Sequence, residues 1–333
     1  MAEEMRIGII GAGQLASSRL YPCLHTLPVT LAAVCDLDRE KAERNAAKFG
    51  GRAVYTDYTE MLARENLDAV MICVGPEWHS RLSVAVMEAG LPVYTEKPPA
   101  VSSADAREML IVSRRRGVVC MTGFKKRFAP AYRKAKAAAT SAAFGTPSLL
   151  SIDYACGPTY TNEPGDFRKE FLLDFTVHIL DISRYLAGEV AEVYAATRER
   201  LTYAVHLRFT NGALGTLALS ANRDWRVSTE KVELTGGPGQ FLGVDNSVSY
   251  VRHSGGDIAE WHTPSFSTAG ASSLVETGFQ GELAEFVAAV REGREPESSI
   301  ASSYETMRLY EAIRDSAASG QPVAIAHGAA VTA

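Results

Sequence analysis

Arg6-Ile7-Gly8-Ile9-Ile10-Gly11-Ala12-Gly13-Gln14-Leu15-Ala16 is the stretch on which the fold of this 333-residue chain turns. Arg6 to Ile10 is a compact apolar strand, and Leu15 to Leu24 has the spacing of a helix, so the glycines sit on a strand-to-helix turn. Gly11, Gly13 and Ala16 fit G-x-G-x-x-G/A. Gly11 allows the tight turn, Gly13 lets the backbone approach a pyrophosphate, and a small residue at 16 lets helix and strand pack closely. Gln14 and Leu15 open the helix whose N-terminus favours the phosphate charge. Such a hexapeptide is weak alone, because glycine turns after strands are common.

Its weight comes from Asp36, 20 residues beyond Ala16 and just past a second strand, Val29 to Cys35. A carboxylate there accepts hydrogen bonds from the adenine-ribose hydroxyls. An ordinary turn with a solvated aspartate is the competing reading. The same carboxylate repels a 2′-phosphate, and Leu37 follows it where an arginine would bind one. NAD is therefore the expected cofactor, with Arg39 near enough to keep NADP possible.

Outward from this turn, strands and helices alternate to residue 123. Short apolar strands are expected at Ala53–Tyr55, Ala69–Val74, Pro92–Thr95 and Val118–Thr122, with helices at Asp38–Phe49, Tyr58–Arg64, His79–Ala89 and Ser102–Arg116. This rhythm predicts a doubly wound parallel sheet, a Rossmann domain over 1–123. From 124 to 333 the rhythm changes. A helix at Pro130–Ala143 precedes strand-like runs at Leu149–Ala155, Ala191–Thr197, Thr202–Phe209, Gly215–Ser220 and Lys231–Thr235, with Asn211-Gly212 as a hairpin signal. Helices near Gly281–Arg291 and Tyr304–Ser319 follow. The expectation is an α+β domain with a mostly antiparallel, open-faced sheet, and the Gly/Ser-rich stretch 253–273 as loop.

Composition narrows the function classes. With 34 Lys+Arg against 39 Asp+Glu the net charge is −5, which leaves no basic stripe to displace counterions from a nucleic acid. The two basic runs, Arg114–Arg116 and Lys125–Arg127, read as helix-end or loop charges. No 18-residue apolar run is present, and Met1-Ala2-Glu3-Glu4 is unlike a secretory signal. Five scattered cysteines without a C-x-x-C pair suit reduced thiols in a cytoplasmic protein and argue against zinc. No metal site, nucleic-acid partner or membrane partner is expected.

Two further features carry chemistry. Glu96-Lys97-Pro98 ends a strand, since a residue before proline is held extended, and so places Lys97 at the carboxyl edge where open α/β sheets bind ligands. A surface lysine before a proline turn is the alternative. Downstream, Asp174, His178 and Asp181 are spaced by four and three among residues that are otherwise apolar except Thr176. On a helix they share one stripe. A carboxylate beside an imidazole fixes its tautomer and suits a general base, while a satisfied core network is the bland reading.

Together, Gly11-x-Gly13-x-x-Ala16, Glu96-Lys97-Pro98 and Asp174-x-x-x-His178-x-x-Asp181 resemble the Gfo/Idh/MocA oxidoreductases, which include inositol dehydrogenases and glucose–fructose oxidoreductase. The likeness extends to Ala89-Gly90 before Pro92-Val93 and to Thr122-Gly123-Phe124 with Arg127-Phe128. It implies an active site between a Rossmann domain and an open-faced sheet domain, and hydride transfer between nicotinamide and a sugar or polyol carbon. By the same resemblance Gly11, Gly13, Gln14, Leu15, Asp36, Glu96 and Lys97 hold the cofactor. Lys97 contacts the reacting hydroxyl, His178 takes its proton, Asp174 positions substrate and base, and Asp181 orients from behind.

The family's Asp-x-Gly-x-His is here Asp174-x-Thr176-x-His178, and the approach, Phe167 to Leu173, is bulkier, which implies a narrower or differently shaped pocket. Tyr154, Arg168 and Trp225 are further substrate-binding candidates, with Trp225 offering a stacking face for a sugar ring. Arg168 and Lys169 offer an anion-binding edge or simply a surface. Arg223 lies at a strand end that could face the same cleft. Two other functions remain open: redox-neutral sugar chemistry by transient oxidation, and a non-catalytic nucleotide-sensing regulator. An uncovered sheet face implies a homodimer or homotetramer.

Overall fold

Apolar segments without polar alternation are what a sheet covered on both faces requires, and six of them pair in parallel in the computed structural model. They are β1 (Met5–Ile10), β2 (Val29–Cys35), β3 (Ala53–Tyr55), β4 (Ala69–Ile72), β5 (Val93–Glu96) and β6 (Cys120–Gly123), in the order β3-β2-β1-β4-β5-β6. The structure describes residues 4–157, 170–262 and 272–327, excepting the side chains of Trp225 and Ser272. The strand order reverses at β1, so the glycine turn after β1 stands at the switch point where such sheets take ligands. The connecting helices are capped as their sequences require. Ser102 accepts a hydrogen bond from the Asp105 amide (3.1 Å) and donates to its carboxylate (2.7 Å), and Asp38 accepts from the Lys41 amide.

The described residues of Met1–Phe124 and Phe279–Tyr304 form one unit, and those of Lys125–Gly278 and from Glu305 onward form the other. The expected single boundary at 123/124 therefore has a return crossing. Helix Phe279–Glu292 joins the first unit, where Arg291 donates to the Pro28 carbonyl (2.9 Å) and Gln280 to Thr26 (3.1 Å). The segment after it bridges β6, with the Thr122 amide donating to the Ser298 carbonyl.

The second unit carries β7 (Leu149–Ala155), β8 (Val190–Arg198), β9 (Thr202–Phe209), β10 (Leu214–Ser220), β11 (Thr229–Thr235), β12 (Gln240–Asp245), β13 (Ser249–Ser254), β14 (Asp257–His262) and β15 (Val323–Ala324). They form one sheet, β14-β13-β12-β11-β7-β10-β9-β8-β15, in which only β7 and β10 run parallel. Asn211-Gly212 turns β9 into β10, with Gly212 at φ +88° and the Asn211 side chain accepting from the Ala213 amide. Tyr203, Val205, Leu207 and Phe209 are buried under helical cover, whereas Ala204, His206 and Arg208 face outward. A row across the outer face runs Tyr194–His206–Thr216–Ser151–Glu233, with the Tyr194 and His206 rings stacked.

Part of the stretch read as loop is a hairpin. β13 and β14 pair around Gly255-Gly256, both at positive φ, and residues 263–271 lie outside the described residues. β14 is exposed along most of its length, so it has no apolar alternation to read. The helix expected to Ala143 stops at Ala139. Among the described residues no helix is long and apolar enough to cross a membrane, and all five cysteines are buried and reduced.

Candidate active site

In the first unit the turn after β1 is fixed by its backbone. Gly11 has φ +110°, and a Cβ there would collide with the Cys73 carbonyl, so this position must be glycine. Gly13 is different. A Cβ built on it meets nothing within 4 Å, so the space before it is open, as a cradle for a pyrophosphate requires. Gln14 and Leu15 are exposed at the start of the helix, which continues through a π-turn at Ala16–Leu20. Asp36 is joined to the turn directly. Its carboxylate accepts from the Ala12 amide at 2.7 Å and from the Asp38 amide at 2.9 Å, while the Gly11 amide donates to Cys35. A charged acceptor thus sets the loop's shape and keeps a carboxylate at the end of β2. These residues fit NAD.

Lys97 follows β5 directly and is half-buried. Its amide donates to the Glu96 carboxylate at 3.1 Å, and Glu96 is itself buried at 3% exposure. Tyr94 lies 3.1 Å from the other Glu96 oxygen and 3.0 Å from Glu282, on the helix that returns to this unit.

In the second unit the structure brings together Tyr154, Asp174 and the run-in to His178. Asp174 sits in the turn before helix Val177–Ala187, not on it; there the Thr176 amide (3.3 Å) and hydroxyl (2.7 Å) both donate to the Phe171 carbonyl. Its amide donates to the Glu170 carbonyl (2.8 Å), and the Glu170 side chain accepts from Tyr310 (2.6 Å). His178 occupies the first turn of the helix at 3% exposure. Tyr154 ends β7 in the core; burial, then the nearby Cys156 and Glu230, then Asp174 push its hydroxyl well above the usual phenol range. Burial and Asp174 also push the Cys156 thiol up to about 11 against the opposing bond to Tyr154, so it stays a thiol.

Asp181 is bound on the side of Arg127. Both its oxygens are taken by Arg127, at 2.7 and 2.5 Å, with Thr306 adding a hydrogen bond. It anchors the helix that carries His178. The run Lys125–Arg127 lies in a short 3₁₀ turn, and two of its charges are used inside this unit. Arg127 is buried on Asp181, and Lys126 pairs with Glu230, which also accepts from Tyr132 and Ser247. Burial opposes the Glu230 charge, but the Lys126 ammonium and the two hydroxyls override it and hold the carboxyl below its usual range. Sequence reasoning missed Lys126 and Arg127 because their partners lie 104 and 54 residues away. The run Arg114–Arg116 does end a helix, as read, with Arg115 and Arg116 on Glu88.

Arg168 lies outside the described residues, and so does the side chain of Trp225, whose backbone forms a 3₁₀ turn to Val227. Arg223 is exposed and donates to Thr229. Among the described residues Glu189, Glu305 and His327 converge, but Arg184, Arg308 and the Val190 carbonyl already engage them.

The chain matches two family models. Residues 5–124 match an oxidoreductase family NAD-binding Rossmann fold, and residues 152–325 match the same family's C-terminal alpha/beta domain. It is 28% identical to 4-carboxy-2-hydroxymuconate-6-semialdehyde dehydrogenase of Sphingobium sp., over 92% of this chain and 96% of that one. It is 30% identical to inositol 2-dehydrogenase 4 of Saccharopolyspora erythraea, over 87% and 86%. An oxidoreductase from Agrobacterium radiobacter, solved with NAD+, L-tartaric acid and magnesium, shares the fold with a TM-score of 0.85 at 20% identity, over 96% and 98% of the two chains.

Proposed function

The chain belongs to the Gfo/Idh/MocA oxidoreductase family, and from that premise we propose that it moves a hydride between nicotinamide and a secondary-alcohol carbon of a sugar, polyol or sugar derivative. The observation that carries this is a complete dinucleotide turn, with Asp36 bonded into it, in the same unit as a half-buried lysine at the carboxyl end of β5. The inositol dehydrogenase among its relatives supports the substrate class.

Bound NAD supplies the hydride acceptor. Lys97 donates a hydrogen bond to the reacting hydroxyl oxygen and steadies its negative charge as the proton leaves. His178 takes that proton, so the alcohol loses one hydride and one proton and becomes a carbonyl. Asp174 holds a neighbouring hydroxyl, and Tyr154, Arg168 and Trp225 complete the substrate set. In redox-neutral turnover the same groups would return hydride and proton to one carbon.

Preference for NAD over NADP rests on Asp36. Arg39 pairs with Glu43 and Lys41 with Asp38, both on the exposed surface, where such pairs hold a side chain only weakly. A 2′-phosphate therefore meets a fixed carboxylate first. Asp36→Ala should weaken NAD binding about tenfold and narrow the NAD/NADP ratio, since it removes one charge-assisted acceptor. Titration of both cofactors by fluorescence reads this, and an unchanged ratio removes Asp36 from the ribose site.

The uncovered sheet face around Tyr194, His206 and Leu214 fits a homodimer or homotetramer. His206→Glu together with Thr216→Glu should shift the species seen by light scattering toward monomer. A wild-type monomer would end this reading.

The function is tested by absorbance at the NADH band with NAD and a panel of inositols, aldoses, uronates and glycosides. Reduction by one compound supports a dehydrogenase. Silence with NADH binding intact moves the chain to redox-neutral chemistry or nucleotide sensing, and loss of binding overturns the cofactor assignment.

A further inference from the structure

The backbone on both sides of Lys97 is held by buried polar side chains. On the amino side Glu96 accepts the Lys97 amide. On the carboxyl side Pro98 has no N–H, so its carbonyl is the only backbone group it offers. That oxygen lies 2.6 Å from Nδ1 of His79, a residue 1% exposed on helix Pro76–Glu88. A carbonyl only accepts, so Nδ1 carries the proton and the tautomer is fixed. Burial, and after it the Lys97 charge, draws the His79 pKa down to about 4, against the opposing carbonyls of Pro98 and Val74 and the Glu77 charge. The ring is neutral throughout the neutral range, and this hydrogen bond does not change with pH there.

Resting on the assignment of Lys97 above, we propose that His79 is a positioning residue that fixes the direction in which the Lys97 side chain leaves the backbone by holding the Pro98 carbonyl. With Glu96 on one side and His79 on the other, the Lys97 backbone is pinned at two points. Only side-chain torsions remain to place its ammonium group. Misplacement of a reacting group by about 1 Å costs on the order of a hundredfold in rate, so this second support matters to turnover. His79 reaches neither cofactor nor substrate in this role.

The test compares three variants of the full chain. His79→Asn puts an amide N–H where Nδ1 stands, His79→Gln carries its amide further out, and His79→Leu has no donor. The readouts are kcat and KM on the compound found in the panel, NADH affinity by fluorescence, and the rate at which acetic anhydride labels Lys97, followed by peptide mass mapping. The Leu and Gln variants should lose kcat by about 10- to 100-fold, with KM for NAD unchanged and an altered Lys97 labelling rate. The Asn variant should stay within about threefold of wild type on every readout, since it keeps the donor.

An Asn variant as poor as Leu would show that ring packing, not the hydrogen bond, matters, and the proposal falls. It falls equally if Gln and Leu match wild type in both kcat and labelling. If the Leu variant does not fold, the Asn–Gln contrast decides alone. Full turnover by Lys97→Ala would overturn the catalytic assignment instead, while the labelling contrast still reports on the support.

Discussion

Lys97→Ala should lose turnover by about three orders of magnitude or more, while NADH affinity should stay within about threefold of wild type. The expectation follows from where the residue stands. It is the first residue beyond β5, half-buried, with its amide on Glu96 and the next carbonyl on His79. In the role proposed for it, a lysine there is an ammonium point charge on a fixed base, and its removal would leave the hydroxyl oxygen without the donor that steadies its developing charge. That interaction grows from ground state to transition state, so kcat and kcat/KM should fall together. On the proposed assignment the phosphates and ribose are held elsewhere, by the turn at Gly11–Gly13 and by Asp36, so binding should survive. Lys97→Arg should not restore activity, because a planar fork cannot occupy the place of a compact ammonium. Equal loss of turnover and NADH affinity would make Lys97 a cofactor anchor.

What the sequence made legible depended on how far each decisive contact reaches along the chain. The turn at Gly11–Ala16 and the hairpin at Asn211-Gly212 are local, and both are set by backbone conformations that few residues adopt. The place of Asp36, just past β2 and beside the glycine turn, was readable because the strand-to-strand distance in such a fold is nearly fixed. Contacts that close over long separations were not readable. Lys126 and Arg127 read as helix-end or loop charges until Glu230 and Asp181 are seen beneath them. The stripe Asp174–His178–Asp181 is real as spacing, yet its members divide: one in a turn, one in the first helical turn, one locked on Arg127. Helix Phe279–Glu292 was recognised as a helix, but amphipathicity does not say which sheet it covers. The hairpin β13–β14 escaped because an exposed strand leaves no apolar period.

His178→Asn separates the base from the rest of the site. It should lower kcat by about 10²- to 10⁴-fold, the range for loss of one general base, with NADH affinity unchanged. The substitution is mild for the fold, since the helix bearing His178 is anchored elsewhere along its length by Asp181 on Arg127 and by Arg184 on Glu189 and Thr306. In the proposed oxidation the ring accepts the hydroxyl proton, a role that an asparagine amide cannot take. Added imidazole should recover part of the lost rate if the missing group is a proton acceptor and not a packing element. Turnover with and without imidazole reads this on one protein. Lys97→Ala should not respond to imidazole, because its loss removes a charge and not an acceptor. If His178→Asn keeps wild-type kcat, the base is another group, and Asp174 in the preceding turn is the next to substitute.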